Sequence, residues 1–242
     1  MSETTSSDGG LRPGDQRHAV GGTLGSFKVA SWEDVGDSLE RISEAIRDRG
    51  AESHLLFADL YTASIRQWLR ARRQFADPAF VEAVVIHFYR LYAESVVHPL
   101  LGQSPVRRTA LWNRYFELAV RRPKHAWSAL VVLRAGVVAH VIGDLEEAFC
   151  AALLDAGPSA LSGRNLQRHA QDLLGSASSK IFHAAASDYL ERLSGALPGP
   201  GPTLLKRTML SIVHHGPSGL SVPTVQRWRR RAWRRAHLPS PR

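Results

Sequence analysis

The sequence predicts an all-α protein, a single-domain bundle of about seven or eight helices around one buried central helix. Three observations predict it. Apolar residues recur at helical spacing through every long segment, with no sustained alternation of the kind a half-buried strand needs. Prolines fall at the starts and ends of those segments. Finally, Trp127, Ala129, Leu130, Val131, Val132, Leu133, Ala135, Val137 and Val138 make one stretch apolar almost all round, which only an enclosed helix tolerates.

The length, 242 residues, suits one large domain. Hydrophobic residues make up 44% and charged residues 22%, enough to build a core without covalent staples. Residues 1–30 are expected to form a disordered leader, because they are rich in Ser, Gly, Thr and charge and lack the apolar run of a secretory signal. The helical domain is expected over 31–238, with 239–242 a disordered tail.

Ser31 before Trp32-Glu33-Asp34 resembles a capping box, in which the acid reaches back to free amides. Val35, Leu39, Ile42 and Ile46 follow as an apolar stripe ending near Gly50. A second helix is predicted from about Glu52 to Gln74, with Leu56, Leu60, Ala63 and Ile65 inward and Arg66, Arg70 and Arg73 outward. Asp77-Pro78 starts a third, since Asp can cap and Pro suits the first turn; it runs to about Val97, and Pro99 ends it. Pro105 and Pro123 punctuate the next two segments. The central helix is predicted over 125–156, stopped by Gly157-Pro158. Two helices follow within 162–194. The Pro/Gly-rich stretch 197–202 then precedes two more pieces, 203–215 and 223–237, too short for a core of their own and so expected to dock back.

The mostly apolar run from Ala126 to Ile142 carries Arg134 and His140 and is shorter than the roughly 20 residues of a membrane span. No span is expected. The single cysteine, Cys150, permits no intrachain disulfide and agrees with a reducing, cytoplasmic setting; it is expected to be a small core residue rather than a nucleophile.

No glycine-rich phosphate loop, paired CxxC, HExxH or nucleophile elbow is present. The candidate chemistry sits on the central helix. His140, Asp144 and Glu147 stand at i, i+4 and i+7 and so share one helical face. An imidazole and two carboxylates form a ligand set for a divalent metal. His140 and Asp144 also suit an acid–base pair, the carboxylate orienting the imidazole. The same spacing describes the polar side of an amphipathic helix opposite Val138, Val141, Leu145 and Phe149. On the third helix, His87, Leu91, Glu94 and His98 form a stripe that could bring His87 and Glu94 to His140 and Asp144. His87, Glu94 and Arg134 are therefore candidate ligand-binding residues. His214-His215, at a helix end before Gly216-Pro217, reads as a capping feature rather than a metal site.

The net charge is +9, and residues 227–235 read Arg-Trp-Arg-Arg-Arg-Ala-Trp-Arg-Arg. The expectation is a helix docked through its aromatics with its arginines snorkelling outward. Nucleic-acid binding through 227–235 is the alternative, because Arg and Trp can grip phosphates and bases.

The segment Val138-Ala139-His140-Val141-Ile142-Gly143-Asp144-Leu145 resembles the Asn-Ala-His-Ile-Asn-X-Asp-Leu helix of a mostly actinobacterial, all-helical family of unknown function. It keeps Ala139, His140, Asp144 and Leu145 and replaces both asparagines, by Val138 and Ile142. Phe57-Ala58-Asp59-Leu60-Tyr61, Asp77-Pro78-Ala79-Phe80 and Trp228-Arg229-Arg230-Arg231-Ala232-Trp233 extend the likeness over about 32–238. The resemblance implies a helical fold around the His140 helix, and a drier pocket or altered chemistry where the asparagines are lost. A small-molecule enzyme or binding protein with its pocket beside His140, in specialised metabolism, is the function expected; metal-assisted hydrolysis and a cyclase- or isomerase-like reaction are both open.

Overall fold

The computed structural model describes residues 29–103, 109–121, 126–196 and 222–237. Among them every regular element is a helix. The leader, the 197–202 link, the 203–215 piece with His214-His215, and the tail lie outside the described residues.

Helix α1 (Trp32–Asp48) opens with the expected capping box: the Ser31 hydroxyl accepts from the Asp34 amide at 3.1 Å, and the Asp34 carboxylate accepts from the Ser31 amide at 2.9 Å. Val35, Leu39, Ile42 and Ile46 are buried as predicted. On helix α2 (Glu52–Arg70) Ala63 and Ile65 are buried as expected, but the first half of the stripe is shifted by one residue. Phe57, Tyr61, Ile65 and Trp68 are buried, while Leu56 and Leu60 are only half-buried. The larger aromatic rings win the interior because they remove more apolar surface from water.

Helix α3 (Pro78–Tyr92) starts at Asp77, whose carboxylate accepts from the Phe80 amide at 3.1 Å, with Pro78 in the first turn. It passes into a π turn, Ala93–Val97, and a last helical turn, His98–Leu100. Helix α4 (Ala110–Ala119) is capped by Thr109, which accepts from the Trp112 amide at 3.3 Å.

The central rod consists of α5 (Ala126–Val138), a second π turn (Ala139–Asp144) and α6 (Leu145–Asp155). It ends before Gly157, whose φ of 74° is left-handed and suits glycine. After a short 3₁₀ turn come α7 (Gly163–Leu174), capped by Ser162, and α8 (Ser176–Ala196). The last described helix is α9 (Val222–His237).

Helices α2, α3, α4 and α9 pack directly on the central rod, and α1 and α8 flank α2. Ser128–Asp155 has the length and composition to cross a membrane, yet 56% of its most apolar window is buried by its neighbours. Close approach of α2 to the rod explains Gly136: a Cβ there would lie 2.8 Å from the Phe57 ring.

Candidate functional site

The π turn Ala139–Asp144 is the widest part of the central rod and carries both candidate residues. π turns are rare and gather at functional sites. His140 is 3% exposed and Asp144 fully buried. The imidazole Nδ1 lies 3.0 Å from Asp144 Oδ2. From α4, the Trp112 indole N–H donates to the same carboxyl, 3.2 Å from Oδ1 and 3.0 Å from Oδ2. An ionised carboxylate can only accept, so this edge assigns the imidazole proton to Nδ1 and leaves a lone pair on Nε2.

Aromatic rings enclose the imidazole. Phe88 of α3 stacks on it at 3.4 Å between centroids, and Tyr61 of α2 meets it edge-on at 4.6 Å. Phe57 and Tyr92 stand at 5.5 and 5.8 Å. Burial lowers the His140 pKa, with the Asp144 hydrogen bond and charge opposing it, so the ring is neutral at neutral pH. Nε2 is buried without a hydrogen-bond partner, as are the hydroxyls of Tyr61 and Tyr92.

His140 and Tyr61 line a cavity of about 80 Å³, walled by Phe57, Phe88, Val84 and Leu145 among other apolar side chains. Among the described residues, the one cation on its lining is Arg229, from α9. That overturns the expectation of an outward-snorkelling side chain: Arg229 is 5% exposed. Its guanidinium donates to the Leu173 carbonyl at the end of α7 and to the Ser178 hydroxyl, the latter at 3.4 Å. It also lies over the rings of Trp68, at 5.2 Å, and Phe182, at 5.7 Å. These acceptors and ring faces are what hold a charge inside. Burial lowers its pKa to about 10, still cationic at neutral pH. Arg227, Arg230, Arg231 and Arg234 face outward as expected, while Trp233 docks edge-on against Phe149 at 5.4 Å.

The whole constellation falls inside one family match, which spans residues 32–240. The chain belongs to the family of unknown function DUF5995. No curated protein and no solved structure matches it.

This DUF5995 chain brings His140 and Asp144 together but not the other candidates. Glu147 is exposed, and the described residues hold no group of three His, Cys, Asp or Glu side chains placed for a metal ion. The π turn is the reason: one extra residue in a turn rotates all that follows by about 100°, so the i+7 position leaves the face of His140. His87 is half-buried and turned away from the cavity, its Nε2 2.7 Å from the exposed Asp155. Phe88, its neighbour in sequence, takes the place against His140. Glu94 is half-buried and Arg134 exposed, and neither lines the cavity. Val141, Leu145 and Phe149, assigned to an opposite apolar face, are buried too, because the rod is enclosed on nearly every side. Cys150 sits against the Ala236 carbonyl, its thiol pKa raised by burial and by Glu146 and Glu147, which suits an inert packing residue.

The residues missed from sequence are Phe88, Trp112 and Arg229. Thr109 three residues before Trp112 was the available sign of a helix start with a tryptophan in its first turn.

A second buried histidine gives a testable pH dependence. His54 has its Nδ1 3.0 Å from the Tyr115 hydroxyl, and burial lowers its pKa to about 4. The unfolded chain binds a proton below about pH 6.5, whereas the folded chain resists it. Stability is therefore complete above pH 6.5 and falls as pH drops towards 4, by about 3 kcal/mol from His54, with His140 acting in the same direction. Asp34 and Asp77, whose pKa values are lowered, add losses only below their ordinary value of 3.8. Urea melts at half-unit pH steps from 7.5 to 4.5 measure this; a flat profile over that window contradicts it.

Proposed function

We propose that this protein is a small-molecule enzyme or ligand-binding protein whose ligand presents a proton donor to His140 Nε2. One observation carries the reading: an imidazole fixed by Asp144, neutral and enclosed by rings, has its Nε2 buried and unpartnered while the ring lines a cavity. A buried polar atom without a partner is uncommon, and one beside a cavity suits a ligand hydroxyl, N–H or acidic C–H. A positioned imidazole used as a general base contributes about 10²–10⁴ in rate. Because Glu147 is turned away, acid–base chemistry of the isomerase or cyclase type has more support than metal-assisted hydrolysis. The likeness of the His140 helix to an Asn-Ala-His-Ile-Asn-X-Asp-Leu motif suggests a setting in actinobacterial specialised metabolism, by analogy alone. We read Ser128–Asp155 as the core helix of a cytoplasmic protein.

Nitrogen-15 NMR of the histidine-labelled full chain tests the reading. The free protein should show His140 as the neutral Nδ1–H form. Small alcohols, ketones and carboxylates that raise the melting temperature should move the Nε2 resonance. A protonated Nε2 in the free protein, or ligands that bind and leave it unmoved, would overturn the reading.

A second reading has its own observation. Arg227, Arg230 and Arg234, at i, i+3 and i+7, border with His183 a groove of about 760 Å³ between α8 and α9. Such a cationic stripe suits the phosphates of a nucleic acid.

A further inference from the structure

The positive charge of the chain is concentrated in one segment. Residues 192–242 hold ten of its 31 Lys and Arg and none of its 22 Asp and Glu, so they account for the whole of the +9 net charge. Six of the ten lie on α9, and the helix sorts them by face. Val225, Arg229, Ala232 and Trp233 are buried, whereas Arg227, Arg230, Arg231, Arg234 and Arg235 are exposed. The five exposed arginines stand at i, i+3, i+4, i+7 and i+8, which makes one continuous stripe of an α-helix. Among the described residues only Arg235 of the five has an acidic partner, Glu146 at 3.4 Å.

A polyanion with its phosphates on the outside matches such a stripe, and two features of α9 narrow the partner further. Among the described residues, no exposed large apolar side chain lies on α9 to insert among lipid tails. Neither of its tryptophans offers a free ring to a nucleic-acid base: Trp228 is half-buried against the core and Trp233 is buried. Single-strand binders add such stacking to their charge, whereas a duplex keeps its bases inside and presents its phosphates. A rise of about 1.5 Å per residue sets Arg227 and Arg235 roughly 12 Å apart, close to the width of a B-form major groove, about 12 Å. With its other face anchored in the core, α9 cannot sink to the base edges, so its arginines stop at the phosphates on either side.

We propose that the arginine stripe of α9 binds the phosphate backbone of duplex DNA without regard to sequence, while the aromatic face of the same helix holds the fold together. The proposal rests on the nucleic-acid reading above and adds the form of the nucleic acid and the division of work between the two faces. A helix given wholly to binding could be removed without harm to the core; α9, with Trp233 set against Phe149, could not. Arg229, turned inward onto the Leu173 carbonyl, takes no part in the contact. A field of one sign also draws a polyanion in from a distance, so the stripe speeds encounter as well as holding the duplex.

Fluorescence anisotropy of the full chain with labelled DNA tests the proposal, using two short duplexes of unrelated sequence and a single strand of one of them. Both duplexes should bind alike, at least about fivefold tighter than the single strand at the same salt. About four neutralised phosphates, each adding about 0.9 to the slope of log affinity against log salt, should weaken binding roughly a hundredfold between about 50 and 200 mM. The triple change Arg230→Gln, Arg231→Gln and Arg234→Gln should remove most of that slope and leave the melting temperature of the parent, because all three side chains are exposed. Arg114→Gln, exposed on α4, should alter neither. Should the triple variant fail to fold, the single changes decide, each lowering the slope by about 0.9. A single strand bound as tightly as the duplex overturns the proposal and leaves the nucleic-acid reading standing. So does a strong preference for one duplex sequence, which requires contact with base edges. Duplex binding untouched by the triple change overturns it by moving the contact to another surface. If no DNA binds, the proposal and the nucleic-acid reading fall together; retention on phosphatidylglycerol vesicles, lost in the triple variant, would then give the stripe to a lipid surface.

Discussion

A chain lacking residues 223–242 should lose most or all of its cooperative folding, a cost of at least about 5 kcal/mol. Helix α9 places Val225, Arg229, Ala232 and Trp233 in the core, each 5% exposed or less. Trp233 lies edge-on to Phe149 and to Phe80, at 5.4 and 6.3 Å, so it ties α9 to both α6 and α3. Losing one buried tryptophan costs about 3–5 kcal/mol, and the deletion also uncovers Phe149, Leu173 and one end of the cavity. Total stability of a domain is only about 5–15 kcal/mol. Thermal melts followed by circular dichroism measure the effect. The nucleic-acid reading makes the opposite forecast: the truncated chain melts normally and loses only a salt-sensitive affinity for DNA or RNA. A normal melt with lost binding would put that reading first.

The parts of this fold that could be read from the sequence are those written in neighbouring residues. Ser31 with Asp34, Asp77 with Pro78, and Gly157 with Pro158 set helix ends through contacts three residues apart or fewer, and each stands where it was expected. Helix faces were harder. On α2 the Leu56–Leu60 and Phe57–Tyr61 stripes are adjacent and both apolar, so periodicity alone does not choose between them; the close approach of Phe57 to Gly136 does. On α3 the same one-residue rotation exchanges His87 for Phe88. The π turn at Ala139–Asp144 has no residue signature, yet it decides which polar side chains of the rod meet: it keeps Asp144 with His140 and sends Glu147 to solvent. Arg229 was hidden for another reason. Within a run of arginines it looks like its neighbours, and its acceptor, the Leu173 carbonyl, lies 56 residues away.

Replacing Asp144 by alanine should destabilise the fold by about 3–5 kcal/mol and remove any function that depends on His140. The carboxyl is fully buried and receives two N–H donors, from Trp112 and His140. Alanine leaves both donors buried without an acceptor, at about 1–3 kcal/mol each, and opens a small cavity besides. Asp144→Asn separates the two roles. Its amide oxygen can satisfy one donor while its NH₂ faces the other, so a loss of about 2–3 kcal/mol is expected, leaving a folded population to assay. In that population the imidazole no longer has a reason to keep its proton on Nδ1, and Nε2 ceases to be a dependable acceptor. Trp112→Phe is the contrasting change: it removes a donor and leaves the carboxylate–imidazole bond in place, so it should cost less and leave His140 in the Nδ1–H form. Urea melts of the three variants, each paired with the histidine nitrogen spectrum, distinguish the outcomes. If Asp144→Asn unfolds readily while its residual native fraction still binds ligand as the parent does, then His140 and Asp144 are a structural pair joining the central rod to α4. The fixed imidazole would then owe its place to packing between Phe88 and Tyr61.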